Sequence, residues 1–235
     1  MENKSNTYTW TIIDKQQETS EVFTLVLEAV GEQPSFIAGQ YLTVRLKDHE
    51  PLEGKCYSIS SSPLDTRIVL TIKSMGQFSR ALLAHSIGDT LTTSAPYGFF
   101  YPEEPFPSHL IFIAGGVGIA PIFSIIRTLC VKRDHPHMTL LYSNKSQKDI
   151  IFNEKLNTFA YPHSKLRIHH FMTREDVPES EFVHNGRITQ EFLSTLPQND
   201  ANIFICGSTD FTKTIWAYEK AIGVPQNKIY TEAFF

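Results

Sequence analysis

Seven consecutive residues, Gly115-Gly116-Val117-Gly118-Ile119-Ala120-Pro121, have the composition of an anion-binding turn. They follow an apolar run and open a helix-like stretch, with proline placed where the first helical turn tolerates it. Glycines in such a turn let a phosphate approach the backbone, and a helix N-terminus favours the anion. The same residues also suit a tight turn required only for packing. The next apolar run ends in Tyr142-Ser143-Asn144-Lys145, with no acidic residue for a ribose, so the ordinary dehydrogenase fingerprint is incomplete here.

Four further segments carry chemically capable residues. Lys55-Cys56-Tyr57-Ser58-Ile59-Ser60-Ser61-Ser62-Pro63 places an aromatic before hydroxyls, a combination able to stack on a flat ring and hydrogen-bond its edge, or simply to form a solvated turn. Cys206-Gly207 closes an apolar run, and carboxyl ends of strands are where α/β sheets take ligands. A free cysteine there is equally a small buried hydrophobe. Thr173-Arg174 and Gly186-Arg187-Ile188 offer guanidinium forks suited to a phosphate dianion, or solvated surface arginines.

Two kinds of element must position these residues. Short runs rich in β-branched and aromatic residues at 10–13, 22–27, 41–46, 57–60, 68–73 and 90–94 predict six strands of a closed or nearly closed antiparallel barrel. A short helix is expected at 78–85. Pro102, Pro105 and Pro107, with Glu103 and Glu104, form a stiff polar linker. Apolar strands at 110–114, 138–143, 166–172 and 202–206 then alternate with helices near 121–132, 151–157, 190–196 and 211–221. That alternation predicts a doubly wound parallel sheet. The expected class is β plus α/β: a barrel over 1–103 and a Rossmann-like domain over 104–235.

Composition narrows the function. The chain has 235 residues, 41% hydrophobic and 20% charged, with net charge −4 and pI near 6.1. That balance disfavours nucleic acid and anionic membrane as partners. Residues 1–20 lack an apolar export core, and the stretch at 110–121 is too short for a bilayer, so a cytoplasmic location is expected. Three scattered cysteines, Cys56, Cys130 and Cys206, argue against a disulfide framework, a structural zinc and a four-cysteine iron–sulfur cluster. No metal is expected, and any single-electron carrier lies outside this chain.

Taken in order, Phe36-Ile37-Ala38-Gly39-Gln40-Tyr41, Lys55-Cys56-Tyr57-Ser58, Ile72-Lys73 with Gly76-Gln77-Phe78-Ser79, the glycine turn, Cys206-Gly207 and Glu232-Ala233-Phe234 form a motif series. It resembles that of the ferredoxin–NADP reductase superfamily, from about Ile12 to the C-terminus. The resemblance implies an FAD-binding barrel, with FMN the weaker alternative, joined to an NAD(P)-binding domain. It implies that Tyr57 stacks on the isoalloxazine and Ser58 hydrogen-bonds near N5. Ile72 and Lys73 would run beside the ribityl and phosphate portion. Gly76, Gln77, Phe78 and Ser79 would border the pyrophosphate, with Gly76, Gln77 and Ser79 as donors. Lys55 stands where the family usually has arginine, keeping charge but losing the fork. Residues 96–100 would lie near the adenine, and Ala38 stands where proline is common.

By the same resemblance, Gly116, Val117, Gly118 and Pro121 would bind the dinucleotide, and Cys206 and Gly207 would lie against the nicotinamide. Phe234 would cover the flavin and Glu232 would support proton transfer; the additional Phe235 leaves open which phenylalanine meets the ring. Thr173, Arg174 and Arg187 would hold a 2′-phosphate, favouring NADPH over NADH. The implied activity is hydride transfer from NAD(P)H to flavin, with Ser58, Cys206 and Glu232 as the catalytic set. Electrons would pass to a separate ferredoxin, flavodoxin or oxygenase component. An NAD(P)H:free-flavin reductase is the alternative, and a regulatory flavin- or nucleotide-binding protein without turnover is a third.

Overall fold

A computed structural model describes residues 7–47, 49–160 and 164–234. The chain divides into two compact units, Met1–Tyr101 with Phe123–Thr128, and Pro102–Ile122 with Leu129–Phe235. Each is described by itself.

The first unit is built from β1 (Thr7–Gln17), β2 (Val22–Ala29), β3 (Tyr41–Arg45), β4 (Lys55–Ser58), β5 (Ile68–Lys73), α1 (Gln77–Ala84) and β6 (Thr90–Ser94). The strands pair antiparallel in the order β4-β3-β6-β1-β2-β5. A bridge between Ile59 and Leu70, with Ser60 N–H donating to the Val69 carbonyl at 2.8 Å, joins the two ends of the sheet and closes the barrel. Alternation along the strands sends Trp10, Ile12, Leu25, Leu27, Leu42, Ile68, Leu70 and Ile72 inward, all fully buried. The indole N–H of Trp10 is satisfied by Thr93 Oγ1 at 2.8 Å, which lets a polar group sit in this core. β1 runs longer than its apolar core because its ends continue to pair with β2 and β6, past a bulge between Ile12 and Asp14.

The second unit contains β7 (His109–Gly115), β8 (His137–Asn144), β9 (Leu166–Met172), β10 (Val183–Asn185), β11 (Ala201–Ser208) and β12 (Ile229–Phe234). Among the described residues these form one parallel sheet, ordered β10-β9-β8-β7-β11-β12. The helices are α2 (Ile119–Cys130), α3 (Asn153–Phe159), α4 (Gln190–Ser194) and α5 (Thr209–Ala221). From β7 the chain winds outward to β10, then returns to β11 on the other side of β7. The reversal opens a crevice beyond the carboxyl ends of β7 and β11, where doubly wound sheets take ligands.

Ile111, Ile113, Leu141, Ile203 and Ile205 make the face that packs on Leu193 of α4 and Ile215 of α5. α3 starts later than its apolar pattern predicts, because Phe152 is held left-handed at φ 61° and cannot continue a helix. β10 and β12 are not marked by apolar runs; both are sheet edges with few fully buried residues. No helix among the described residues is long and apolar enough to cross a membrane.

Glu219 of α5 is fully buried, and that burial pushes its carboxyl up to about 7, with Gln198 opposing part of the rise. A carboxyl raised in the folded state stabilises the fold below its ordinary value near 4.5, and the contribution is lost as pH climbs through 7. Glu219→Gln is therefore expected to raise the melting temperature at pH 8 and to match wild type near pH 4. Thermal melts across this range check it; a pH-independent difference would contradict the assignment.

Candidate functional site

In the first unit the predicted flavin residues gather at one end of the barrel. Tyr57, at the end of β4, lies parallel to Phe78 of α1, with ring centroids 6.5 Å apart and planes 24° apart. Phe78 is buried, so it acts as a rigid backing for the half-buried tyrosine. Burial pushes the Tyr57 phenol up to about 12, keeping it protonated. Ser58 is buried beside it, whereas Lys55 at the start of β4 is exposed. Ile72 is buried in the barrel, and Lys73 pairs with Glu21 at 3.4 Å.

The hydroxyl of Ser79 turns back on its own helix. It accepts from the N–H groups of Met75 and Gly76 and donates to the Gly76 carbonyl, each at 3.0 Å. Its side chain is thus committed to shaping the turn at Gly76. What the start of α1 presents is the backbone N–H groups of Gln77, Phe78 and Ser79, which helix geometry leaves without intrahelical acceptors. A flat ring partner at Tyr57 and an amide-lined helix start match an aromatic diphosphate cofactor such as FAD.

In the second unit the carboxyl ends of β7, β11 and β12 meet. Cys206 is paired in register with Ala114 of β7 on one side and Glu232 of β12 on the other. Its thiol is fully buried; burial first, and the Glu232 charge second, push it well above the ordinary cysteine range. Cys206 therefore stays as a thiol. Phe234 is half-buried two positions further along β12, opposite Ser208, while Phe235 lies outside the described residues.

The glycines of the turn divide their work. A Cβ on Gly118 would fall 2.2 Å from the carbonyl oxygen of Cys206, so this glycine exists for backbone-to-backbone approach. A Cβ on Gly115 would meet the ring of Phe211 at 3.1 Å, and one on Gly207 would meet it at 2.6 Å. Gly116 alone of the three in the turn faces open space, at φ +52°. Gly116 and Val117 are partly exposed, whereas Gly118 and the first residues of α2, Ile119 to Pro121, are buried, so of the three glycines in the turn only Gly116 leaves open room for a ligand.

Thr173 and Arg174 leave β9 along the backbone of β8: Thr173 N–H donates to the Asn144 carbonyl and Arg174 N–H to the Lys145 carbonyl, both at 2.9 Å. Arg174 lines a depression of about 500 Å³ with Ser146, Gln147, Lys148 and Glu175. Glu175 accepts from the Gln147 N–H at 2.6 Å, which holds one wall in place. Arg187 stands exposed after β10 and does not line this depression. Among the described residues no cluster of three or more histidine, cysteine or acidic side chains is arranged to hold a metal ion.

The sequence matches the oxidoreductase NAD-binding domain family over residues 112–216. It is 30% identical over 241 residues to a component of the 1,2-phenylacetyl-CoA epoxidase of Escherichia coli, covering 95% of this chain and 67% of that one. The chain belongs to the ferredoxin–NADP reductase superfamily. Members are NAD(P)H-dependent flavoprotein oxidoreductases, and membership supports binding of FAD and a nicotinamide nucleotide. A flavohemoprotein of Bacillus subtilis is 28% identical over 232 residues, 95% of this chain and 58% of its own length. The chain thus spans roughly three fifths to two thirds of the curated relatives it matches. A Neisseria gonorrhoeae ferredoxin NADP+ reductase, solved with bound FAD and NADP, superposes with TM-score 0.86 at 21% identity, over 99% of this chain and 100% of that one. The likeness establishes the ferredoxin–NADP reductase fold.

Gly118→Ala is expected to destabilise the protein by about 1–3 kcal/mol, because backbone atoms of β11 cannot yield as a side chain would. Gly116→Ala, which meets only a left-handed backbone, should cost roughly 1–2 kcal/mol but leave Cys206 undisturbed. Denaturant unfolding ranks the two, and accessibility of the Cys206 thiol to a labelling reagent should rise only in the Gly118 variant. Equal labelling in both would contradict the close-approach role.

Proposed function

We propose that this chain is a reductase that takes a hydride from NADPH, or NADH, at a bound FAD and passes the electrons to a separate acceptor such as a ferredoxin, a flavodoxin or an oxygenase component. The observation that carries the proposal is the meeting of Cys206, Glu232 and the Gly116–Gly118 turn at the carboxyl ends of β7, β11 and β12. The flavin, when bound, supplies hydride acceptance and the release of electrons singly or in pairs. Tyr57, backed by Phe78, holds the ring system, and Ser58 hydrogen-bonds near N5. Gln77, Phe78 and Ser79 bind the pyrophosphate through backbone N–H groups, beside Ile72, Lys73 and Gly76.

The start of α2 holds the dinucleotide phosphates, with Gly116, Val117, Gly118 and Pro121 forming the turn. Cys206 and Gly207, both buried, would back the nicotinamide with uncharged atoms, and that backing would fix its orientation. Glu232 would hold and move a proton at its carboxylate, next to the buried thiol, and Phe234 would be the aromatic offered to a flat ring. Thr173, Arg174 and Arg187 give NADPH its advantage, because a guanidinium pairs well with a phosphate dianion. One observation favours free flavin as substrate instead: Lys55 is exposed and offers no bidentate fork.

Anaerobic titration of the FAD-loaded protein with NADPH, then NADH, tests the proposal through flavin absorbance. Bleaching at far lower NADPH than NADH is expected. Tyr57→Ala should lose flavin on gel filtration, while Cys206→Ala should retain it and be reduced about tenfold or more slowly, as expected of a lost orientation effect. Flavin that neither nucleotide bleaches would overturn the reductase assignment.

A further inference from the structure

Tyr142 of β8 was not marked by any sequence motif, yet it touches both halves of the dinucleotide site assigned above. It is fully buried in the sheet, opposite Ala114 of β7. Its hydroxyl donates to the carbonyl of Gly116 at 3.1 Å, the left-handed glycine of the phosphate turn. The same oxygen accepts from the backbone N–H of Ile151 at 3.3 Å. Ile151 ends the short segment that supplies Ser146, Gln147 and Lys148 to the depression containing Arg174. One buried hydroxyl therefore ties two loops that leave different strands.

The segment is also under conformational load. Phe152, next to Ile151, is buried and left-handed at φ 61° without being glycine. Such a backbone is strained for a side-chain-bearing residue and persists only where its surroundings hold it. The Ser146 hydroxyl donates to Asp149 at 2.5 Å, and Gln147 N–H is held by Glu175, so the far end of the segment is fixed to itself and to β9's extension. The near end is fixed to the phosphate turn through Tyr142.

We infer that Tyr142 is a positioning residue that sets the spacing between the phosphate turn at Gly116 and the depression at Ser146–Lys148 and Arg174, and so favours a ligand that must fill both at once. The inference rests on the dinucleotide assignment above. Removing a buried hydroxyl that donates and accepts strands the Ile151 N–H and leaves the Gly116 carbonyl with the Ile119 N–H. Loss of the tie leaves each half-site intact but unregistered, so a ligand spanning both suffers more than a fragment filling one.

The test compares FAD-loaded wild type with Tyr142→Phe, which removes the hydroxyl oxygen and keeps the ring. Calorimetric titration uses NADP+ and, separately, adenosine 2′-monophosphate, the fragment that lacks both phosphates assigned to the turn. NADP+ binding should weaken about tenfold, the scale of one or two buried hydrogen bonds, and the fragment by roughly twofold or less. In turnover with ferricyanide as acceptor, KM for NADPH should rise by the same factor, with kcat at saturation and flavin content unchanged.

Ile151→Pro removes the tie from its other side, and Ile150, at φ −73° and ψ 104°, already has the extended backbone that proline demands of its predecessor. The same pattern is expected there with Tyr142 intact; Ile151 is itself buried, so Ile151→Val, which trims the side chain but keeps the N–H, is the packing control and should bind both ligands as wild type does. Equal weakening of whole ligand and fragment, no weakening of either, or a fall in kcat at constant KM would overturn the inference. Wild type that binds NADP+ but is not reduced by NADPH would sink the reductase proposal alone, since the binding comparison still decides the role of Tyr142. Wild type that binds no NADP+ would sink both.

Discussion

The second unit depends on how closely the turn after β7 approaches the end of β11. Gly118 lies so near the Cys206 carbonyl that even a methyl group has no room. This contact brings the first turn of α2, with its outward amide groups, beside a buried thiol and a half-buried carboxylate. Two surroundings of opposite character, a helix start with its amides and a dry apolar patch, then meet at the carboxyl ends of β7 and β11. Register carries the arrangement one strand further, because Cys206 faces Glu232 only while β11 and β12 stay paired. A slip of one residue would turn the carboxylate to the other face.

The first unit relies on shape more than on charge. Tyr57 owes its orientation to a parallel, buried phenylalanine, and the start of α1 owes its form to a serine that hydrogen-bonds its own turn. The Lys73–Glu21 pair is partly exposed and contributes little by itself. Side-chain charge at the start of α1 is therefore sparse, and what that helix start presents is chiefly backbone amide. That is consistent with a protein of net charge −4 that still offers anion sites.

Much of this was legible in the sequence because it follows from periodicity and from motifs with local meaning. The barrel strands alternate, the central strands β7, β8, β9 and β11 are nearly continuous apolar runs, and the glycine turn sits between a strand and a helix. β10 and β12 were not legible, since an edge strand needs neither alternation nor a continuous apolar run. Nor was the division among Gly115, Gly116 and Gly118, whose roles depend on Phe211 and Cys206 about ninety residues downstream. Tyr142 reads in sequence as one more apolar strand position; only its hydroxyl partners distinguish it. Phe152 gave no sign of its left-handed backbone, because nothing in residue type alone calls for one there.

The ring of Phe211 occupies the volume that side chains at Gly115 and Gly207 would need. These three positions are therefore not independent sites of variation. An alanine at 207 is barred while the ring is present and becomes admissible once the ring is trimmed, whereas trimming the ring first opens a void that nothing fills. Substitution here has a direction: a change that begins at Gly207 meets the ring at 2.6 Å, whereas one that begins at Gly115 needs the ring to give by only a few tenths of an ångström. Epistasis of this kind, imposed by one aromatic wedge beneath two turns, would preserve the glycines over long divergence even if neither ever touched a ligand.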